Sequence, residues 1–286
     1  MADKNKHGLT RYIPEDVKLK VRKNSYFGCV LCGTGICTID HVDPEFNDCK
    51  IHNPDKMTLL CASCHDKKTR GIIGVKTVKN AMEKPFCKDK NPPSDFLDFG
   101  TTEPKIQFGN GLFISPKSII TINGESILSI EEPKEDDENR FLLNAIFHDP
   151  NGNEAFRIEE NIWFGNIDNW DIETKGKKIT IKSEKGTVLL QIENIPDEKF
   201  IVHSLTMLYK GYFIQADNDG VEIITPSGKT MILLDKGHEM KGDTMINIQG
   251  DTTIMDGLEI SNLRIKVGSN IIMSNNTITG GVIEIG

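Results

Sequence analysis

The chain has 286 residues, 37% hydrophobic and 27% charged, which are ordinary fractions for a folded protein and exclude wholesale disorder. No apolar run approaches the roughly 18 to 20 residues that cross a bilayer, and the opening MADKNKHGLTRY is polar, so a cytoplasmic protein with no membrane partner is expected. The net charge of −8 argues on its face against a nucleic-acid partner, but it averages two unlike segments. Residues 1–92 hold 17 Lys+Arg against 11 Asp+Glu, a net of +6, and residues 93–286 hold 17 against 31, a net of −14. Asymmetry of that size assigns different partners to the two segments.

Taken in chain order, Pro14 opens PEDVKLKVRKNS, with Glu15 and Asp16 directly behind it, the order of a helix N-terminus. A cysteine-rich stretch without periodicity follows over 29–64. In VKTVKNAMEK, Val75, Val78 and Met82 share one helical face, and Pro85 ends the run. KDKNPP (88–93) reads as a linker or chain turn, and Phe96, Leu97 and Phe99 are expected to dock one part of the chain on the other. The boundary is placed at 93–104.

From 105 onward, short stretches such as SIITI, ESILSI, KKITIKS, TVLLQIE and GVEIIT alternate apolar with polar residues. Turn signals separate them at DPNGN (149–153), TKGKK (174–178), DNDG (217–220) and TPSGK (225–229). This is the pattern of an all-β unit. EEPKEDDEN (131–139) reads as a solvated loop, and Trp163 and Trp170 as fillers of a core or inter-sheet seam. The tail from Gly242 to Gly286 fits either another sandwich layer or a small β-solenoid, since no strict repeat period emerges.

All seven cysteines lie in the basic segment. In a reducing compartment, clustered cysteines point to metal rather than disulfides. Cys29-Val-Leu-Cys32 and Cys61-Ala-Ser-Cys64 place four thiolates for tetrahedral Zn²⁺, and a segment too small for a large core would draw much of its folding energy from that metal. Cys37, Cys49 and Cys87 are left as small buried apolar side chains.

Between the two cysteine pairs stands Asp40-His41-Val42-Asp43-Pro44, and His65 follows the second pair. The elements CxxCG at 29–33, DHxxP at 40–44 and LLCxxCHxxKT at 59–69 resemble the HNH endonucleases, the ββα-metal nuclease family. The resemblance covers residues 22–70, less than a fifth of the chain. It implies a hairpin carrying Asp40 and His41, then a helix carrying His65. It also implies His41 as general base, with Asp40 and His65 holding one catalytic Mg²⁺ or Mn²⁺. Phosphodiester hydrolysis independently needs a base active near neutral pH and a cation at the phosphoryl oxygens. Lys67, Lys68 and Arg70 are placed for phosphate contact or as a solvated helix end. The family's asparagine, five residues before the third cysteine, is replaced by Lys56, so His52, Asn53 or Asp55 is expected to supply the missing support.

The expected fold class is therefore α+β: a zinc-stabilised ββα-metal (HNH) module over 1–92, a linker over 93–104, and an acidic all-β domain over 105–286, sandwich or solenoid-like, with a separate layer from 242. The expected function is metal-dependent DNA cleavage. The β domain would serve regulation, oligomerisation or partner recognition, an architecture that suits a bacterial anti-phage effector. The alternative is a non-catalytic zinc-dependent nucleic-acid-binding or adaptor protein with a degenerate HNH module.

Overall fold

A computed structural model describes residues 4–89, 91–133, 140–228, 230–235, 237–268 and 270–285. Residues 134–139 of the acidic run and Lys229 of the TPSGK turn thus lie outside the described residues. The chain is mixed α+β and mostly β. It divides into two compact units, Met1–Asp95 with Phe164–Thr174, and Phe96–Trp163 with Lys175–Gly286. The first unit therefore takes in a short excursion from the middle of the acidic segment, which the charge boundary alone does not reveal.

The first unit is built on a small hairpin. Strand β1 (Thr38–His41) pairs antiparallel with β2 (Met57–Leu60), with Asp40 opposite Thr58 and His41 opposite Met57. Helix α1 (Glu15–Asn24) starts behind Pro14, has Glu15 and Asp16 in its first turn and Arg22 and Lys23 in its last, and so complements the helix dipole at both ends. It is tied to β2 through the Ser25 hydroxyl, which lies 3.1 Å from the Thr58 hydroxyl and accepts from the Leu59 N–H at 3.1 Å. Val21, Met57 and Leu59 form one small core, with Ile13, Val17 and Ile39 packed against it.

Helix α2 (Ala62–Thr69) follows β2 directly, and helix α3 (Val75–Glu83) buries Val78. Val78 joins Val30, Val42, Leu60 and the cysteines Cys29, Cys61 and Cys64 in a second core. Both cores are small, which leaves a cross-link much to contribute to this unit's stability.

The second unit is all β. Its hairpins alternate buried with partly buried residues, as at Leu142–His148 and Tyr212–Asp217, and these strands pack one face inward. Leu97 and Phe99 are buried, whereas Phe96 is 46% exposed, with the Arg140 guanidinium 5.1 Å from its ring centroid. Trp163 is 1% exposed and stacks on Phe156 at 5.6 Å, a core filler. Trp170 departs from the expectation: it belongs to the first unit, is half-buried, and carries the Lys23 ammonium 4.6 Å over its ring.

The tail is solenoid-like. Strand Thr252–Asp256 pairs in parallel with Asn270–Ser274, and Glu259–Val267 pairs in parallel with Thr277–Ile285. In both pairs every partner lies 18 residues on, as in Thr252 with Asn270 and Glu259 with Thr277, so the chain stacks one two-strand rung on the next. Among the described residues, no helix is long and apolar enough to cross a membrane.

Candidate metal centre and adjoining histidine cluster

Four sulfurs converge where the hairpin meets α2. Cys29, Cys32, Cys61 and Cys64 bring their Sγ atoms within 4.8 Å of one another. Each pair is held by its local backbone. In the first, the Cys32 and Gly33 N–H groups donate to the Cys29 carbonyl, and the Val30 N–H donates to the Leu59 carbonyl of β2. Gly33 has φ +79°, and a Cβ there would stand 2.5 Å from Phe86, so glycine is required. In the second, Cys61 caps α2 and its sulfur accepts from the Cys64 N–H.

The geometry fits a closed four-sulfur ion. A tetrahedral centre with Zn–S bonds of about 2.3 Å sets its sulfurs about 3.8 Å apart. The Cys32–Cys61 and Cys32–Cys64 separations are 3.6 and 3.7 Å. A hydrogen bond from the Cys37 thiol, foremost, holds Cys29 down to about 4. Burial, foremost, pushes Cys32 and Cys64 above the ordinary thiol range, reinforced by neighbouring sulfurs. Sulfurs this close cannot all ionise without a cation among them, which accounts for the opposite shifts of Cys29 and of Cys32 and Cys64. Cys49 and Cys87 are buried, whereas Cys37 is only partly so and its thiol donates to the Thr34 carbonyl at 3.0 Å, a polar role beyond the apolar one expected.

The hairpin splits Asp40 and His41 onto opposite faces, because adjacent strand residues alternate. Asp40, 8% exposed, faces α2. Its Oδ1 lies 3.3 Å from His65 Nε2 and its Oδ2 2.7 Å from Lys68 Nζ. His65 and Lys68 are one helical turn apart and share that face of α2. The Lys68 ammonium also donates to the His41 carbonyl at 3.2 Å. It approaches Asp40 off the hydrogen-bonding direction, and among the described residues Asp40 Oδ2 accepts no hydrogen bond. Three of the expected residues, Asp40, His65 and Lys68, thus come together.

His41 looks the other way, into a loop closed by short 3-10 turns at Phe46–Asp48 and Pro54–Lys56. Its Nε2 lies 3.0 Å from His52 Nδ1, and His52 Nε2 lies 3.0 Å from the Thr10 carbonyl oxygen. The Phe46 ring meets His41 edge-on at 5.5 Å and stacks on His52 at 6.4 Å. Burial, foremost, and the neighbouring His52 pull His41 below the ordinary histidine range, so it is neutral at pH 7.

The remaining candidates sit apart. Asn53 caps the second 3-10 turn by accepting from the Asp55 N–H, and Lys56 is exposed. Lys67 and Arg70 are exposed at the end of α2, with Arg70 3.4 Å from Asp66. A cavity of about 200 Å³ lies beside His41, lined by Pro44, Cys49, Asn53 and Lys56. A larger hollow of about 560 Å³ shares Lys56 and Met57 with it and is edged by Lys23, Lys79 and Lys88. Asp43, Asp55 and Glu83 also line the larger one.

Sequence reasoning missed the N-terminal arm. The Asn5 side chain donates to the Phe46 and Cys49 carbonyls at 2.6 and 2.7 Å, and the Arg11 guanidinium lies 4.5 Å over the Phe46 ring. Nothing in a polar opening segment signals that role, because a backbone carbonyl such as that of Thr10 has no sequence signature. No protein-family model, curated protein or solved structure matches the chain.

Proposed function

We propose that the first unit is an HNH-type endonuclease that hydrolyses DNA phosphodiester bonds. In this reading Cys29, Cys32, Cys61 and Cys64 hold a structural Zn²⁺, and Asp40 and His65 hold a catalytic Mg²⁺ or Mn²⁺. The observation that carries it is the 3.3 Å approach of Asp40 Oδ1 to His65 Nε2. Neighbouring ligands of an octahedral cation with bonds of about 2.1 Å stand about 3 Å apart, and the mixed oxygen and nitrogen donors suit Mn²⁺ as well as Mg²⁺. When bound, such a cation stabilises charge on the phosphoryl and departing oxygens.

The protein's own residues do the rest. His41, neutral at pH 7, accepts the proton of the attacking water. Exposed Lys67 and Arg70 supply positive charge for the phosphate backbone, in keeping with the +6 of residues 1–92. The acidic remainder of the chain repels that backbone and is assigned to regulation or partner recognition.

A second reading rests on Lys68. Its ammonium, 2.7 Å from Asp40, already neutralises the carboxylate that a catalytic cation needs. That favours a zinc-dependent DNA-binding module without catalysis. Plasmid nicking by the full chain with Mg²⁺ or Mn²⁺, against His41→Ala at equal zinc content, decides between them. The endonuclease reading expects nicking that the substitution abolishes. Nicking that survives in His41→Ala removes His41 from the chemistry, and DNA retention without any nicking establishes the binding module.

A further inference from the structure

The last rung of the second unit, Asn270–Ser274 with Thr277–Ile285, is firmly seated on the one beneath. The Asn276 side chain accepts from the Leu258 N–H and donates to the Met255 carbonyl, both at 2.8 Å. The Ser274 hydroxyl and the Asn275 amide donate to Asp256 Oδ1 at 2.6 and 3.0 Å. Its outer side is open. Asn270–Ser274 is the outermost strand of its sheet, and among the described residues Thr277–Ile285 pairs only with Glu259–Val267. Ile278 and Ile283 are 42% and 40% exposed, whereas Ile260 and Ile265, their register partners one rung down, are 2% and 3% exposed.

Charge runs against that exposure. The covered rung carries Asp256, Glu259, Arg264 and Lys266, and their register partners are Ser274, Thr277, Val282 and Glu284, so the open rung keeps a single charge. Val282, beside the exposed Arg264, is itself exposed. A strand edge left to water is ordinarily guarded by Lys, Pro or a bulge, and the end of a solenoid by a polar cap. Residues 270–285 contain no Lys, Arg or Pro, and their ladders run without a register shift. Within the chain, like already stacks on like, Met273 on Met255, Ile278 on Ile260 and Ile283 on Ile265. The surface that fits such a rung is another such rung.

We infer that the open rung is a self-association surface, on which a second copy of this chain seats its own last rung by a two-fold rotation. The rotation sets each edge strand antiparallel to its counterpart, so the outward N–H and C=O groups of one copy pair with those of the other. Ile278, Val282 and Ile283 are withdrawn from water in the process. With one carboxylate and no cation in 270–285, the face offers a nucleic acid or a charged peptide nothing to recognise. The pairing uses no residue of the first unit and is independent of the endonuclease reading.

Light scattering on the zinc-loaded full chain tests this over about 1 to 100 µM, a range in which modest interfaces dissociate. Twice the chain mass is expected at the upper end. Val282→Glu sets a carboxylate beside Arg264 of the same chain, which the fold accommodates, and adds to Glu284 a second negative charge that two copies must bring together. It should raise the dissociation constant at least about 10-fold with an unchanged circular-dichroism spectrum. Amide exchange of the wild type should show protection across 270–285 that falls on dilution, while 244–249 stays protected at every concentration. A chain monomeric throughout that range, a dimer indifferent to Val282→Glu, or assemblies that keep growing with concentration would overturn the inference. Should the variant lose its β spectrum, the wild-type exchange decides alone, and protection across 270–285 that ignores dilution overturns it.

Discussion

Arg22 of α1 and Asp171, 149 residues further along, form a bidentate pair, with Nε donating to Oδ1 and Nη2 to Oδ2, both at 2.7 Å. The Arg22 side chain is 10% exposed and that of Asp171 1%. This pair fastens the excursion at 164–174 into the first unit. Replacing Asp171 leaves Arg22 charged and largely buried, with Glu173 at 4.0 Å a weaker partner, a cost approaching that of a broken buried pair, about 3–5 kcal/mol. Asp171→Ala should therefore destabilise the first unit by that amount in a Trp163→Phe background, where urea unfolding is read through Trp170 alone. A change under about 1 kcal/mol would mean that the excursion is held by other contacts.

The two metal assignments separate in zinc content. Cys61 supplies a sulfur and caps α2, so Cys61→Ser should lose zinc and unfold the first unit, while the second keeps its β signature in circular dichroism. Asp40→Ala should retain one zinc per chain by mass spectrometry of the metal, since no atom of Asp40 belongs to the sulfur cluster. Equal zinc retention in both variants would dismiss the four-sulfur site.

In the second unit, burial and a 2.6 Å hydrogen bond to Glu125 push the Tyr209 phenol up to about 12. The folded state thus favours the neutral phenol over a window from about 10, the unfolded value, to about 12. Its contribution to stability is complete below the lower limit and is lost as pH rises to the upper one. Alkaline titration followed by phenolate absorbance should show one late transition near 12 that vanishes in Tyr209→Phe. A wild type whose tyrosines all ionise near 10 would show that the Glu125 contact does not persist in solution.

What could be read in advance depended on how local the signal was. The zinc cysteines were legible because two CxxC pairs fix both ligand type and spacing. The approach of His65 to Asp40 agrees with the order of their motifs, and the catalytic role it would serve belongs to the proposal. Among His52, Asn53 and Asp55 the choice was open, since it turns on the fold of a loop and on a backbone carbonyl from residue 10. The expected boundary near 93–104 also gave no hint of the 164–174 excursion, which lies some sixty residues beyond it inside the acidic segment. In the tail, the 18-residue repeat is hidden because only a few apolar residues recur at that spacing, with Ile272, Ile278 and Ile283 exposed. Ile254 and Ile272, Met255 and Met273, Ile260 and Ile278, and Ile265 and Ile283 are identical pairs, but the residues between them differ.

That repeat makes its own demand on Gly281, which pairs with Leu263 in the parallel register. At φ +130° with an added Cβ 2.1 Å from the Leu263 carbonyl oxygen, no other side chain fits without displacing the backbone. Gly281→Ala combines that clash with backbone strain of about 1–3 kcal/mol. Its neighbour Gly280 also has positive φ, but an added Cβ would meet nothing nearer than Asn262 Oδ1 at 3.6 Å. Gly280→Ala should therefore cost about 1 kcal/mol from conformation alone. Hydrogen exchange should show Gly281→Ala losing amide protection across 277–285, while 244–249 and 252–256 stay protected and Gly280→Ala resembles wild type. The last rung can open this way because its strand is described as pairing only with Glu259–Val267, so its detachment disturbs one ladder and not the stack beneath. Protection lost equally across 244–285 would instead make the rungs one cooperative unit.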